Sequence, residues 1–96
     1  MQQPDAALVT LYVTDRCGYC RRAERLLDAR GIAFDAIDVS GDGPERRALV
    51  ERTRWRTVPV IFLGEELVGG YEELAALERS GELARRLAVL RARASG

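Results

Sequence analysis

The 96-residue chain contains no histidine, and its only cysteines are Cys17 and Cys20. Without histidine, the Cys–His pair that many cysteine nucleophiles depend on is excluded. With two soft ligands in total, a Cys/His zinc site with four ligands cannot form within one chain. A metal that is held between two chains is not excluded by this count.

The sequence also lacks an excess of either charge, because 15 basic and 15 acidic residues give a formal net charge of +0. This balance gives no support to nucleic-acid or membrane binding. No apolar run approaches the ~20 residues that span a bilayer. The first residues, Met1–Asp5, lack the basic and apolar segments of a signal peptide. We therefore expect a cytoplasmic protein, where a Cys-x-x-Cys pair is usually catalytic or metal-binding.

The two cysteines form the motif Cys17-Gly18-Tyr19-Cys20 at a predicted strand-to-helix junction. An apolar run over 8–13 predicts the strand, and apolar residues spaced by three and four predict a helix over 19–30. Side chains at i and i+3 on a helix lie ~5–6 Å apart at Cβ. That spacing is close to the Cα separation of ~4.4–6.8 Å that a disulfide tolerates. The motif therefore predicts a redox dithiol that opens and closes with little backbone movement.

The remaining pattern predicts one small α/β domain over 1–96. Further strands are predicted over 33–39, 60–63 and 66–68, and helices over 44–53 and 71–79, before a last helix with Leu83, Leu87 and Leu90. The initial strand–helix–strand unit implies two parallel strands with a right-handed crossover. We expect a four-stranded mixed sheet with helices on both faces. Its core should cover about 8–90, with frayed ends at 1–6 and 92–96.

Four landmarks resemble those of the glutaredoxin family, which has the thioredoxin-like fold. They are the Cys-x-x-Cys motif after a strand, Thr57-Val58-Pro59 before the third strand, Gly69-Gly70 with acidic residues after it, and Ser80-Gly81-Glu82-Leu83. Their order and spacing match over roughly 8–90. The sequence departs from the family pattern in three ways: Gly18 replaces a common proline, Thr14 replaces a lysine, and Tyr71-Glu72-Glu73 replaces a small or sulfur-containing residue and aspartates.

The resemblance implies an enzyme, a glutathione-dependent thiol–disulfide oxidoreductase for protein–glutathione mixed disulfides and protein disulfides. Cys17 would be the nucleophile and Cys20 the thiol that resolves a mixed disulfide. At the start of the helix, free N–H groups and the positive helix end are expected to lower the pKa of the Cys17 thiol. Cys20, one turn later, should be less exposed. Two buried structural cysteines are the alternative, but Gly18 and Tyr19 at a helix start do not build a core.

The resemblance also implies a glutathione site. In thioredoxin-like proteins the proline matching Pro59 follows a cis bond, which would present the Val58 backbone beside Cys17 to an extended peptide. The helix start at 70–72 would hold the γ-glutamyl carboxylate, and Arg46 would bind the other carboxylate. The Glu72 side chain would take the ammonium, and Arg16 would stand in for the missing lysine. The full predicted set is Arg16, Tyr19, Arg46, Thr57, Val58, Pro59, Gly70, Tyr71 and Glu72.

Two other functions remain open at this point. With Gly18 in place of proline, two chains can be expected to share a [2Fe–2S] cluster ligated by Cys17 of each chain and two glutathiones. Without the cluster, a monomer with no metal is expected. The other function is that of a glutaredoxin-like protein reduced by a thioredoxin reductase, although Arg46, Gly70 and Glu72 favour glutathione. Expected partners are glutathione and proteins with disulfides or bound glutathione, without nucleic acid or membrane. Trp55 fits a packing lid better than a ligand contact.

Overall fold

The computed structural model describes residues 7–41 and 43–95, and within these ranges four strands form one sheet with four helices around it. The strands are β1 (Val9–Val13), β2 (Phe34–Asp38), β3 (Val60–Leu63) and β4 (Glu66–Gly69). The helices are α1 (Gly18–Ala29), α2 (Pro44–Thr53), α3 (Tyr71–Ser80) and α4 (Glu82–Ser95). The predicted elements and their order are confirmed. Helix α4 continues to Ser95, past the expected core boundary at Leu90, and the expected fraying of 1–6 lies outside the described residues.

The sheet has the strand order β2-β1-β3-β4. β1 is parallel to β2 and antiparallel to β3, and β3 is antiparallel to β4. The predicted mixed α/β sheet is therefore confirmed. In this register Tyr12 pairs with Val60, and Ile61 pairs with Gly69. The loop after β1, the loop before β3 and the start of α3 consequently meet at one edge of the sheet.

The two faces of the sheet are covered very differently. On the first face, Val9, Leu11 and Val13 of β1 join a buried cluster with residues of α1, α3 and α4, namely Cys20, Ala23, Leu27, Leu74, Leu83 and Leu87. Thr10 and Tyr12 alternate with them and point to the opposite face, because side chains along a strand alternate. There α2 packs, and among its ten residues Leu49 is the one that is buried. The guanidinium carbon of Arg52 lies 5.3 Å above the ring of Phe62.

Two backbone conformations mark helix boundaries near this edge of the sheet, one at the end of α2 and one at the start of α1. Helix α2 ends at Arg54, which has left-handed backbone angles (φ 63°, ψ 13°) that glycine adopts more easily. Helix α1 begins after Cys17, whose extended backbone (φ −102°, ψ 110°) is typical of an N-cap residue. Within the described ranges, no helix is both long enough and apolar enough to cross a membrane.

Candidate functional site

Cys17 lies at the positive end of α1. Its Sγ accepts a hydrogen bond from the backbone N–H of Cys20 at 3.0 Å. The first N–H groups of a helix have no partner inside the helix, and the helix dipole is positive there. Because Cys17 is half-buried, the sulfur remains within reach of another molecule. This geometry favours a negative charge on the reduced sulfur.

Cys20 lies one turn into α1 and is fully buried in the core cluster. The two cysteines form a disulfide with their Cα atoms 5.2 Å apart, within the range that native disulfides occupy. The expectation that Cys20 is the less exposed cysteine is confirmed. An incoming sulfur can therefore approach Cys17 more readily than Cys20.

The loop before β3 lies against the Cys17 sulfur. The Val58–Pro59 peptide bond is cis, which confirms the expectation from the resemblance. The carbonyl oxygen of Val58 is 3.6 Å from Cys17 Sγ. Pro59 is buried, whereas Thr57 is exposed. The loop thus brings the Val58 backbone to the Cys17 sulfur, and the preceding residue, Thr57, is exposed to solvent.

Two tyrosines and an arginine form a cluster beside the Cys-x-x-Cys motif. The ring centroids of Tyr19 and Tyr71 are 6.0 Å apart, and 52% of Tyr19 is exposed. The guanidinium carbon of Arg22 lies 5.5 Å from the first centroid and 5.6 Å from the second. Cation–π attraction favours this arrangement. The i, i+3 spacing of Tyr19 and Arg22 was a signal for their contact, whereas the sequence contains no signal that joins Tyr71 to them.

The start of α3 is held in place by a side chain that the sequence analysis did not single out. The carboxylate of Glu73 accepts a hydrogen bond from the N–H of Gly70 at 3.0 Å. An acidic residue three positions after an N-cap is the sequence signature of this contact. Glu72, the residue predicted to bind an ammonium group, is exposed.

Trp55 packs against the double glycine that precedes α3. A Cβ atom on Gly69 would lie 3.0 Å from the Trp55 ring, and Gly69 has a φ of +122°, so this position requires glycine. The indole nitrogen of Trp55 is buried and has no hydrogen-bond partner among the described residues. Trp55 therefore closes one side of the α3 start, as expected of a packing lid.

The two arginines predicted to bind glutathione have different surroundings. Arg46 donates a hydrogen bond from Nη2 to the carbonyl oxygen of Arg56 at 2.9 Å. This contact braces the segment that leads to Thr57 and Val58. Arg16 is exposed beside Cys17, and it forms no hydrogen bond or ion pair with any residue that the structure describes.

A second residue that sequence reasoning missed is Ser40, which ties the loop before Cys17 to the end of β2. The N–H of Asp15 donates to Ser40 Oγ at 3.0 Å, and the N–H of Ser40 donates to Asp38 Oδ1 at 2.7 Å. Hydrogen bonds from the hydroxyl and the amide of Ser40 hold the pKa of the Asp38 carboxyl below its ordinary value. In the described part of the chain, no three or more Cys, Asp or Glu residues are grouped so that they could hold a metal ion.

Comparisons with known proteins agree with this geometry. The family model named Glutaredoxin matches residues 9–68. Glutaredoxin 3 of Escherichia coli (strain K12) is 35% identical over 77 residues, which are 80% of this chain and 93% of that protein. A Pseudomonas aeruginosa glutaredoxin is 43% identical over 75 residues, covering 78% and 89%. A crystal structure of a buckwheat glutaredoxin–glutathione complex matches 88% of this chain and 80% of that one, with a TM-score of 0.78 and 27% identity.

Proposed function

This chain belongs to the glutaredoxin family, a class of thiol–disulfide oxidoreductases, and from that premise we propose that it reduces protein–glutathione mixed disulfides and protein disulfides with glutathione as co-substrate. The observation that carries the proposal is the different access to the two sulfurs. Cys17 is half-buried at a helix N-terminus, and Cys20 is enclosed in the core. The Cys17 sulfur is therefore placed to attack an incoming disulfide. The Cys20 sulfur is placed to act only on a mixed disulfide that has already formed at Cys17.

The first half of the proposed reaction takes glutathione from a protein. The Cys17 thiolate attacks the glutathione sulfur of the mixed disulfide, whose S–S bond breaks. The protein leaves as a thiolate and takes a proton from water, while Cys17 keeps a disulfide to glutathione. A second glutathione thiolate then attacks that glutathione sulfur, releasing oxidised glutathione and restoring the Cys17 thiolate. The N–H of Cys20, 3.0 Å from Sγ, stabilises the charge at both stages.

Protein disulfides require the second cysteine. After Cys17 has formed a mixed disulfide with the protein, Cys20 loses its proton and attacks Cys17 Sγ. The protein leaves with both of its sulfurs reduced, and the disulfide between Cys17 and Cys20 remains. Two glutathiones then reduce this disulfide and leave as oxidised glutathione, so the electrons come from glutathione throughout.

The proposed glutathione site follows the sheet edge. The backbone of Thr57 and Val58 would pair with the tripeptide beside the sulfur. The helix start at Gly70, with Tyr71 and Glu72, would hold the γ-glutamyl group, since N–H groups there attract a carboxylate. Pro59, Tyr19, Arg46 and Arg16 complete the set. The buckwheat complex supports glutathione as the ligand, because that relative was crystallised with it.

The test is turnover of a glutathionylated peptide and of a protein disulfide, each coupled to glutathione reductase. Cys17→Ser should abolish both reactions, because it removes the attacking sulfur. Cys20→Ser should retain the first and lose the second. Equal loss in the two variants would contradict the division of roles. Faster reduction by thioredoxin reductase than by glutathione would overturn glutathione as the reductant.

A second candidate function is a [2Fe–2S] cluster shared by two chains, and one observation favours it. A Cβ placed on Gly18 would meet no atom within 4 Å apart from its chain neighbours, so the residue that follows Cys17 faces open space. Cys17 of each chain and two glutathiones would ligate the cluster, which would serve in iron–sulfur storage, iron–sulfur transfer or redox sensing. Anaerobic purification with glutathione tests this candidate. A brown dimer would support it, and a colourless monomer would contradict it.

A further inference from the structure

The basic residues of this chain are unevenly placed around the molecule. All 15 are arginines, and four of them line one groove along α2 together with Val50 and Glu51. We call this surface the arginine groove, and its basic residues are Arg46, Arg47, Arg54 and Arg56. A net positive surface of this kind is unexpected in a chain whose charges balance overall.

We propose that Arg54 and Arg56 of the arginine groove dock an acidic segment of the protein substrate while Cys17 attacks its glutathione disulfide, which leaves Arg46 for the glutathione carboxylate. The inference rests on the proposed function, and it names the class of protein on which that function would act. Complementary charge across such a surface speeds association and selects partners.

Two arginines of the groove lack the ion pairs that several arginines elsewhere in the described chain form. Arg21, Arg30 and Arg86 form ion pairs, with Glu24, Glu78 and Glu66 respectively. Arg54 and Arg56 form no ion pair with any described residue, and Arg46 donates to a backbone carbonyl. Two guanidinium groups therefore remain available for carboxylates that another molecule brings, and Arg can bind a carboxylate with two parallel hydrogen bonds.

The groove leads to the reactive sulfur. Arg56 is two residues before Val58, whose carbonyl oxygen is 3.6 Å from Cys17 Sγ. The bond from Arg46 to Arg56 joins α2 to this same segment. A substrate chain with its modified cysteine at Cys17 would thus have its neighbouring residues beside the groove.

The size and composition of the groove favour a short acidic peptide over a nucleic acid. Helix α2 has ten residues, which corresponds to about 15 Å of wall. That length accommodates four or five residues of extended chain at ~3.3 Å each. Glu51 within the groove would repel a continuous row of phosphates, whereas a peptide can place a neutral residue there. Val50 offers an apolar contact to such a residue.

The experiment compares two glutathionylated peptides that share the residues next to cysteine and differ in acidic or basic flanks. For the wild type, kcat/KM should be about tenfold higher for the acidic peptide, and this preference should shrink as salt rises to ~1 M. The double variant R54D/R56E should lose the preference, because it reverses both charges. Asp is chosen at 54 because it tolerates the left-handed backbone there. The milder R54N/R56Q should lose part of it, which guards against a folding defect in the first variant.

The matched control is R25E/R93E, which makes the same change in net charge. Arg25 on α1 and Arg93 on α4 are exposed residues outside the groove, and this variant should keep the preference. A small mixed disulfide of glutathione and 2-mercaptoethanol should react equally with all variants.

The results separate the two proposals. No turnover of the small disulfide by the wild type would overturn the proposed function itself. If the wild type turns over the small disulfide, two results would overturn the docking role alone. One is an equal kcat/KM for the two peptides, and the other is a loss of the acidic-peptide preference in R25E/R93E as large as that in R54D/R56E. A nucleic-acid surface would replace the docking role if the two peptides react at equal rates and the wild type binds single-stranded DNA. In that case R54D/R56E should abolish the DNA binding.

Discussion

The two faces of the sheet differ in how completely helices cover them. On the first face, three helices cover β1, and Leu11, Leu27 and Leu74 are completely buried. On the second face, α2 is the one helix among the described residues, and spaces of about 550 and about 280 Å³ lie between its side chains and the sheet. The first face contains Cys20, and the second presents the arginine groove. Burial thus concentrates around Cys20, the sulfur that we propose resolves a mixed disulfide, and the thinly packed face presents charge.

The largest effect expected from this comparison is in core stability. Leu27→Ala should lower the free energy of unfolding by ~4 kcal/mol, because Leu27 is surrounded on all sides and its removal leaves a cavity. Leu49→Ala should lower it by only ~2 kcal/mol, since α2 can move toward the sheet and close part of the space. Urea unfolding of both variants gives the two values. Equal losses would show that the second face is packed as firmly as the first.

A smaller effect is expected at the end of α2. Arg54→Gly should raise the free energy of unfolding by ~1 kcal/mol, because glycine adopts the left-handed backbone angles at this position without steric strain. Arg54→Ala is the matched control, and it should give no gain because alanine keeps the Cβ. If the variants have equal stability, the backbone at 54 is not strained. Arg54→Gly should also weaken the preference for acidic peptides, so stability and docking would change in opposite directions.

The smallest expected effect is on acid stability. The pKa of Glu82 on the first-face helix α4 is lowered by hydrogen bonds from Arg85 and then Arg86, and that of Asp38 by Ser40. A lowered folded-state pKa contributes stability above the ordinary value, and this contribution disappears as pH falls through the folded-state value. Both Glu82→Gln and Asp38→Asn should therefore reduce the loss of stability between about pH 5 and about pH 3.

Salt distinguishes these two carboxylates. The partners of Glu82 are charged, so its contribution should weaken in ~1 M salt, whereas the neutral Ser40 partner makes that of Asp38 less sensitive. Urea unfolding at both pH values, with and without salt, measures this difference. An equal salt effect on both variants would contradict the assigned causes.

Most of the fold could be predicted from the sequence because its signals are local. Alternating and three-to-four spaced apolar residues mark β1, β3, α1 and α3, and the Pro44 turn marks the start of α2. The position of Cys17 at a helix start follows from the same pattern. The cis bond before Pro59 was expected only through the family resemblance.

The contacts that complete the site could not be predicted in this way. Asp15 and Ser40 are 25 residues apart in sequence, and they meet because β1 and β2 are parallel in one register. Tyr19 and Tyr71 meet because α1 and α3 pack on the same face. Such contacts depend on packing angles and rotamers, which residue periodicity does not specify. Glu73 is the exception, since its spacing from Gly70 was readable as a helix start.

The packing of Trp55 on Gly69 and Gly70 has a practical consequence. Trp55 is the only tryptophan in the chain, so all indole fluorescence originates at the mouth of α3. A molecule that binds there changes the polarity around this single tryptophan, so its emission spectrum reports binding without an attached dye. Trp55 fluorescence therefore measures ligand binding at the start of α3 whether or not a thiol–disulfide reaction follows.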